Sequence, residues 1–189
     1  MNKILLVSLI FAVLSSCTNK TIKDPKEYNS RISSLVIQVQ NPLDSIEGYL
    51  LNLKFKLELD TSKIYSAEND FDAETIDFLL NRTQEKIDFA KDEIINIEFI
   101  SGDTDFKPAV EKFIPQIENS LKNDFIPLID ILKNSINKKN RDILKEISPY
   151  GKSGFVNYQS AMDSIVVGQL KFNAKNKYII NEHLLRFNF

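Results

Sequence analysis

The sequence predicts an all-α fold: an up-down-up-down bundle of four long, proline-bent helices. Three observations carry that expectation. Apolar residues recur at steps of three and four over long stretches, the spacing of one helix face. Only 5 Gly and 6 Pro occur among 189 residues, too few for a sandwich or barrel cut by many turns. The strongest breaks fall near residues 60–69, 101–105 and 148–154, leaving long segments that short connections make antiparallel.

The first helix is expected over residues 24–58. Asp24-Pro25-Lys26-Glu27 reads as its start, with Asp as cap, Pro at the first helical position and Glu placed to complete a capping box. Its seam runs Tyr28, Ile32, Leu35, Val39, Leu43, Ile46, Leu50, Leu53 and Leu57, with a kink or fresh cap at Pro42. Residues 60–69 lack a clean period and read as a long loop. The second helix begins near Asp70, with the seam Ile76, Leu80, Thr83, Ile87, Ala90, Ile94 and Ile97, and stops at Ser101-Gly102-Asp103. Thr104 or Asp105 caps the third helix. Its seam runs from Phe106 through Val110, Phe113, Ile117, Leu121, Phe125, Leu128 and Leu132 to Ile136, bent by Pro115 and Pro127. A polar stretch, Asn137 to Arg141, loosens the pattern before Ile143, Leu144 and Ile147 resume it. Pro149, Gly151 and Gly154 mark the last break. The fourth helix carries Phe155, Tyr158, Met162, Ile165 and Phe172. Polar residues at the next register positions, Gln169, Asn176 and His183, predict that it leaves the core or ends between 173 and 182. Residues 183–189 form a short apolar tail.

Composition removes several chemistries. One Cys excludes an internal disulfide framework and multi-cysteine zinc sites, and one His excludes a three-His metal site and paired Glu-x-x-His di-iron motifs. A formal charge of −2 lacks the basic footprint of a nucleic-acid binder. His183 has no second imidazole or thiol to share a metal, and no G-x-S-x-G nucleophile motif is present. Asp92 and Glu93 fall on a solvated helix face. Asn69-Asp70-Phe71-Asp72 has the acids of a calcium loop but not its Gly or terminal Glu. The stripe Phe106, Phe113, Phe125, Phe155 and Phe172 has core spacing. No catalytic, cofactor-binding or metal-binding residue is assigned, and no cofactor is expected.

The N-terminus carries the most specific signal. Lys3 gives a positive start, and Ile4 to Leu14 is an apolar run broken only by Ser8, well short of the ~18–20 residues of a membrane-spanning helix. Leu14-Ser15-Ser16-Cys17 follows. This segment resembles the lipobox signal peptide of bacterial lipoproteins. The resemblance implies a signal peptide over 1–16, a diacylglyceryl group on the Cys17 thiol, cleavage before Cys17, and acylation of the new amine. Two or more acyl chains anchor stably where one is marginal. Residues 17–23 then form a lipidated tether, 24–182 the helical domain and 183–189 the tail. Thr18-Asn19 lacks the Asp that retains enterobacterial lipoproteins in the inner membrane. Thr18-Asn19-Lys20-Thr21 also lacks the acidic cluster that resembles a surface-export tag in Bacteroidota. The first departure resembles the outer-membrane class, and the second favours a position facing the periplasm over the cell surface.

Asp44-Ser45-Ile46 and Asp163-Ser164-Ile165 resemble the short Bacteroidota O-glycosylation sequon, but both fall mid-helix. The mature chain resembles small helical envelope lipoproteins, a likeness that brings no activity with it. With four antiparallel helices, the start of the first and the end of the last share one end with the 101–105 loop. That end faces the membrane, and the loops at 60–69 and 148–154 face away from it. The expected role is a non-enzymatic, membrane-anchored interaction module that meets an envelope protein partner. The alternative is a carrier holding an apolar or amphiphilic ligand in a cavity between helices.

Overall fold

The computed structural model describes residues 20–177, side chains excepted at Lys20, Asn69 and residues 151–158. The expected signal peptide over 1–16, Cys17, His183 and the expected tail over 183–189 lie outside the described residues, as do the side chains of Phe155 and Tyr158.

The described chain is predominantly helical. Its elements are strand β1 (Lys20–Ile22), helix α1 (Pro25–Leu59), β2 (Ile64–Ser66), the short α2 (Ala67–Asp70), α3 (Ala73–Asn96), β3 (Ile97–Phe99), α4 (Phe106–Ser120), a π-helical turn (Leu121–Phe125), α5 (Ile126–Asn134), β4 (Ile136–Lys139) and α6 (Asn140–Lys175). Helix α1 starts as its sequence dictates. The Asp24 carboxylate accepts the Lys26 N–H at 2.9 Å and Pro25 occupies the first turn. Glu27 pairs with Arg31 at 3.2 Å. The helix runs through Pro42 without a break, and every member of its expected seam from Tyr28 to Leu57 is buried. Along α3, Ile76, Thr83, Ile87, Ala90 and Ile94 are buried and Leu80 packs at their edge.

Four expectations are corrected. First, Lys20–Ile22 is not free tether: β1 pairs in parallel with β3, Lys20 opposite Ile97 and Ile22 opposite Phe99, and Ile22 is buried. The Ile-Glu-Phe run alternates buried, exposed, buried, the period of a half-buried strand, so the second helix stops at Asn96. Second, the 60–69 loop contains β2, which pairs antiparallel with β4 (Ile64 opposite Lys139, Ser66 opposite Ile136), and α2. Third, Thr104 and Asp105 do not cap α4 through their side chains. Asp103 does, accepting the N–H groups of Asp105, Phe106 and Lys107 at 2.7–2.9 Å.

Fourth, the last break lies at residues 135–139, and α6 continues unbroken through Pro149, Gly151 and Gly154. Asn137 supplies the left-handed residue there, with φ 58°. A proline inside a helix costs about 3 kcal/mol. Each fully buried Ile or Leu returns roughly 1.5–3 kcal/mol. Helix α6 buries Ile143 and Ile147 before Pro149 and Met162, Ile165 and Phe172 after it, so one continuous packed face outweighs the lost hydrogen bond.

The most extensive helix pairings are α1 with α3 and α4 with α6. At one end Tyr28, Phe99 and Phe172 stack with ring centroids 5.0–5.2 Å apart, and Phe106 joins Phe172 at 6.3 Å. At the other, Asn140 donates its backbone N–H to the Lys63 carbonyl at 2.9 Å and its amide to the Asp60 carbonyl at 2.8 Å. Helices α4 and α6 meet at Gly168, where a Cβ would stand 2.6 Å from the Asp105 carbonyl oxygen and 3.0 Å from the Ala109 Cβ. Gly168→Ala is therefore expected to destabilise by about 1–3 kcal/mol through overpacking. Gly48→Ala, on α1 with open space around it, should stabilise by up to ~1 kcal/mol. Denaturant unfolding of the two variants checks the contrast in sign.

Candidate functional site: an apolar groove at the π-helical turn

The third helical segment is interrupted where Pro127 follows Leu121–Phe125. In a regular helix the Pro127 ring would press on the Asn123 carbonyl, and Pro127 has no N–H to donate. The chain widens instead: Ile126 donates its N–H to the Leu121 carbonyl, one residue beyond the α-helical partner. The turn is pinned from outside. Glu118, just before it, accepts from Lys122 within it at 2.8 Å and from Lys91 on α3.

The π turn lines a groove between α1, α5 and the first half of α6, with an open volume of about 350 Å³. Leu50, Leu53, Leu128, Leu132 and Ile147 form an apolar floor, with Phe125 beside them. The rim carries Glu47, Glu58 and Lys54, whose ammonium lies 3.8 Å from Glu58, while the buried Asp124 lines the wall. Burial, and then the neighbouring Asp44, hold the half-buried Glu47 carboxyl above its ordinary pKa.

Leu51 lines the groove and begins an exposed ridge. Leu51, Phe55 and Leu59 step by four along α1 and are 58–71% exposed. Ile64 on β2 and Ile136 on β4, at the same end, are 49% and 73% exposed. Single exposed apolar residues are normal on any protein, whereas a contiguous set beside an apolar groove marks a contact surface.

Residues singled out from the sequence mostly serve as caps or packing. Asp70 accepts the Ser66 N–H at 3.1 Å and the Lys63 ammonium at 2.9 Å. Asp72 caps α3 through the Thr75 N–H and hydroxyl at 3.0 and 2.7 Å. Asp92 and Glu93 are exposed. Ser45 and Ser164 donate their hydroxyls to carbonyls one turn back, those of Asn41 and Ser160. Phe106, Phe113 and Phe172 are fully buried, while Phe125 is half-buried at the groove. Among the described residues no three His, Cys, Asp or Glu side chains are placed to hold a metal ion.

Sequence reasoning missed a buried amide cluster. Gln169 does not mark the helix leaving the core, because it is only 1% exposed. Its amide donates to Asn29 at 3.0 Å and Ser33 at 2.9 Å on α1. The Gln169 carbonyl oxygen and both polar atoms of the neighbouring Asn173 find no protein partner among the described residues. An unmatched buried amide costs about 1–3 kcal/mol, so sliding α6 along α1 would forfeit the bonds that are made. Helix α6 does end at Lys175, inside the expected interval. The polar residues of this segment in the sequence were the available sign of the cluster, but burial inverts their meaning.

No protein family, curated protein or solved structure matches the chain. The clamp on the π turn can be tested by pH. Bonds from Lys122 and Lys91 hold the Glu118 carboxyl at about 2, below its ordinary 4.5. A lowered folded-state pKa gives stability that is present above the unfolded value and lost as pH falls toward the folded one. The stability advantage over Glu118→Gln should be full near neutrality and shrink as pH drops from 4.5 toward 2. Urea unfolding across that range measures it, and a constant gap would refute the clamp.

Proposed function

We propose that this protein is a lipid-anchored, non-enzymatic helical interaction module of the bacterial cell envelope. Cys17 carries the anchor, in the outer membrane and facing the periplasm, and the far end meets another envelope protein. The lipobox resemblance of residues 1–17 supports the anchor. The long helices are taken as an up-down-up-down bundle. The joining of Tyr28, Phe99, Phe106 and Phe172 at one end and of residues 60–63 with Asn140 at the other supports that arrangement.

One observation carries the role: an exposed apolar ridge, continuous with an apolar groove, at the end of α1 remote from Pro25. Helix α1 has 35 residues, and at 1.5 Å per residue the ridge ends about 50 Å from where the helix begins. The rim acids Glu47 and Glu58 favour a partner segment that brings apolar side chains flanked by Lys or Arg, the pattern of an amphipathic helix laid in a groove. Photo-reactive residues at Phe55 or Ile136 in intact cells should yield one adduct of common mass. A probe at the exposed Glu93 should not, and Leu51→Glu should abolish the adduct without altering the unfolding midpoint. Equal yield at all three sites would contradict the reading.

A second reading, carriage of an apolar or amphiphilic small molecule, is favoured by the groove volume of about 350 Å³, at the lower end of the range for ligand pockets. Its floor is mostly leucine. Native mass spectrometry of protein extracted from membranes in mild detergent should then show a bound mass beyond the acyl chains, and the acylated polypeptide mass alone counts against carriage.

A further inference from the structure

The parallel pairing of β1 with β3 bears on how the protein meets its membrane. Ile22 is 3% exposed, and its carbonyl accepts the Ile100 N–H at 3.0 Å, so the first strand is built into the body and is not a leash. Cys17 stands three residues before Lys20. A fully extended chain advances at most ~3.6 Å per residue, so the Cys17 Cα lies within about 11 Å of the Lys20 Cα whatever the conformation between them. A free tether over 17–23 would have reached about twice as far.

The strand direction matters as much as its length. Helix α3 hands directly to β3, which runs on toward the turn at 100–105. Because β1 is parallel to β3, the chain enters beside Ile97 and travels toward that turn, reaching Phe99 at Ile22. The described chain therefore enters on the flank of the protein, beside the β1–β3 ribbon, and not at the tip of the helices. On this flank Thr21 and Glu98 of the ribbon are exposed. Ile95 and Ile100, 66% and 55% exposed, bracket β3 on either side. Lys23 and Lys26 are exposed where β1 leads into α1, among the acids Asp24 and Glu27.

We propose that this flank, the β1–β3 ribbon with Ile95 and Ile100, rests directly on the lipid surface, so that the body lies against the bilayer by its side. The inference depends on acylation of Cys17. A root held within about 11 Å leaves the two isoleucines inside the interfacial layer of the bilayer, where apolar side chains leave water. Lys23 and Lys26 are placed to reach the headgroups with their ammonium ends while their stems lie on apolar surface. The ridge at Leu51, Phe55 and Leu59 is out of reach of so short a root, which leaves that surface free for a partner.

The experiment uses the full chain, acylated in a bacterial host and reconstituted in phosphatidylethanolamine–phosphatidylglycerol vesicles carrying a nitroxide-labelled lipid. With Cys17 acylated, an introduced cysteine is the one thiol open to a fluorophore. Ile95→Cys, Ile100→Cys, Thr104→Cys and Ile136→Cys are labelled in turn, and intact mass reports the acyl chains. Labels at 95 and 100 should be quenched at least threefold more than the label at 136. Quenching equal at all positions in acylated protein overturns the lateral contact. Quenching strongest at Thr104 and absent at Ile95 overturns the side-on orientation in favour of an upright one. An intact mass without acyl chains overturns the anchoring itself, a result separate from the other two.

Discussion

One partly buried carboxylate organises the end of the molecule from which the first helix departs. Asp103 accepts the phenolic hydrogen bond of Tyr28 at 2.9 Å and at the same time three backbone N–H groups at the start of α4. A single side chain thus joins the first turn of α1, the turn after β3 and the N-terminus of α4, where exposed N–H groups favour negative charge. Burial, and then the Asp103 charge, raise the Tyr28 pKa well above the ordinary phenol range, so the ring stays a donor. The aromatic contacts to Phe99 and Phe172 are built around that fixed ring. Gly102, in the left-handed region at φ 75°, lets the chain turn tightly enough to present Asp103 there.

The opposite end is organised by defects. Pro127 cannot complete a regular helix, and the π turn that accommodates it sits in the wall of the groove. Asn137 adopts a left-handed conformation to let β4 pair with β2. Widened helical turns and edge strands are where backbone geometry departs from its most stable form, and such departures concentrate at binding surfaces. The proposed roles divide along the same line. The well-packed end carries the root of the anchor, and the irregular end carries the groove and ridge offered to a partner.

Much of the helical content was legible before any coordinates. The seams of α1 and α3 are long and regular, and apolar but for Thr83, and a helix stripe buried against neighbours needs no other information. The start of α1 was equally plain, because Asp24 and Pro25 act within one turn of chain. Pro149 with Gly151 and Gly154 misled for the converse reason. Local preference marks a break there, whereas packing on both sides of Pro149 holds α6 together. The groove was not legible as a site. Its floor is written as ordinary core leucines and an isoleucine from three separate segments, and only their failure to close completely makes a cavity.

By itself the sequence determined the helical character, the seams that face inward, the absence of cysteine and histidine clusters, and the lipobox-like start. These are properties of local spacing and composition, and they act over a few residues at most. Tertiary structure alone decided that residues 20–22 become a parallel strand, that Gln169 is buried against α1, that Asp103 and not Thr104 or Asp105 caps α4, and which leucines border open space. The strand, the buried amide and the open leucines depend on partners far away in the chain, such as Ile97 or Asn29, and the Asp103 cap, local in its bonds to α4, is shared with the distant Tyr28. A hydrogen bond or a packed contact of that kind carries no mark in either local segment, because neither residue's type changes when the other comes within reach.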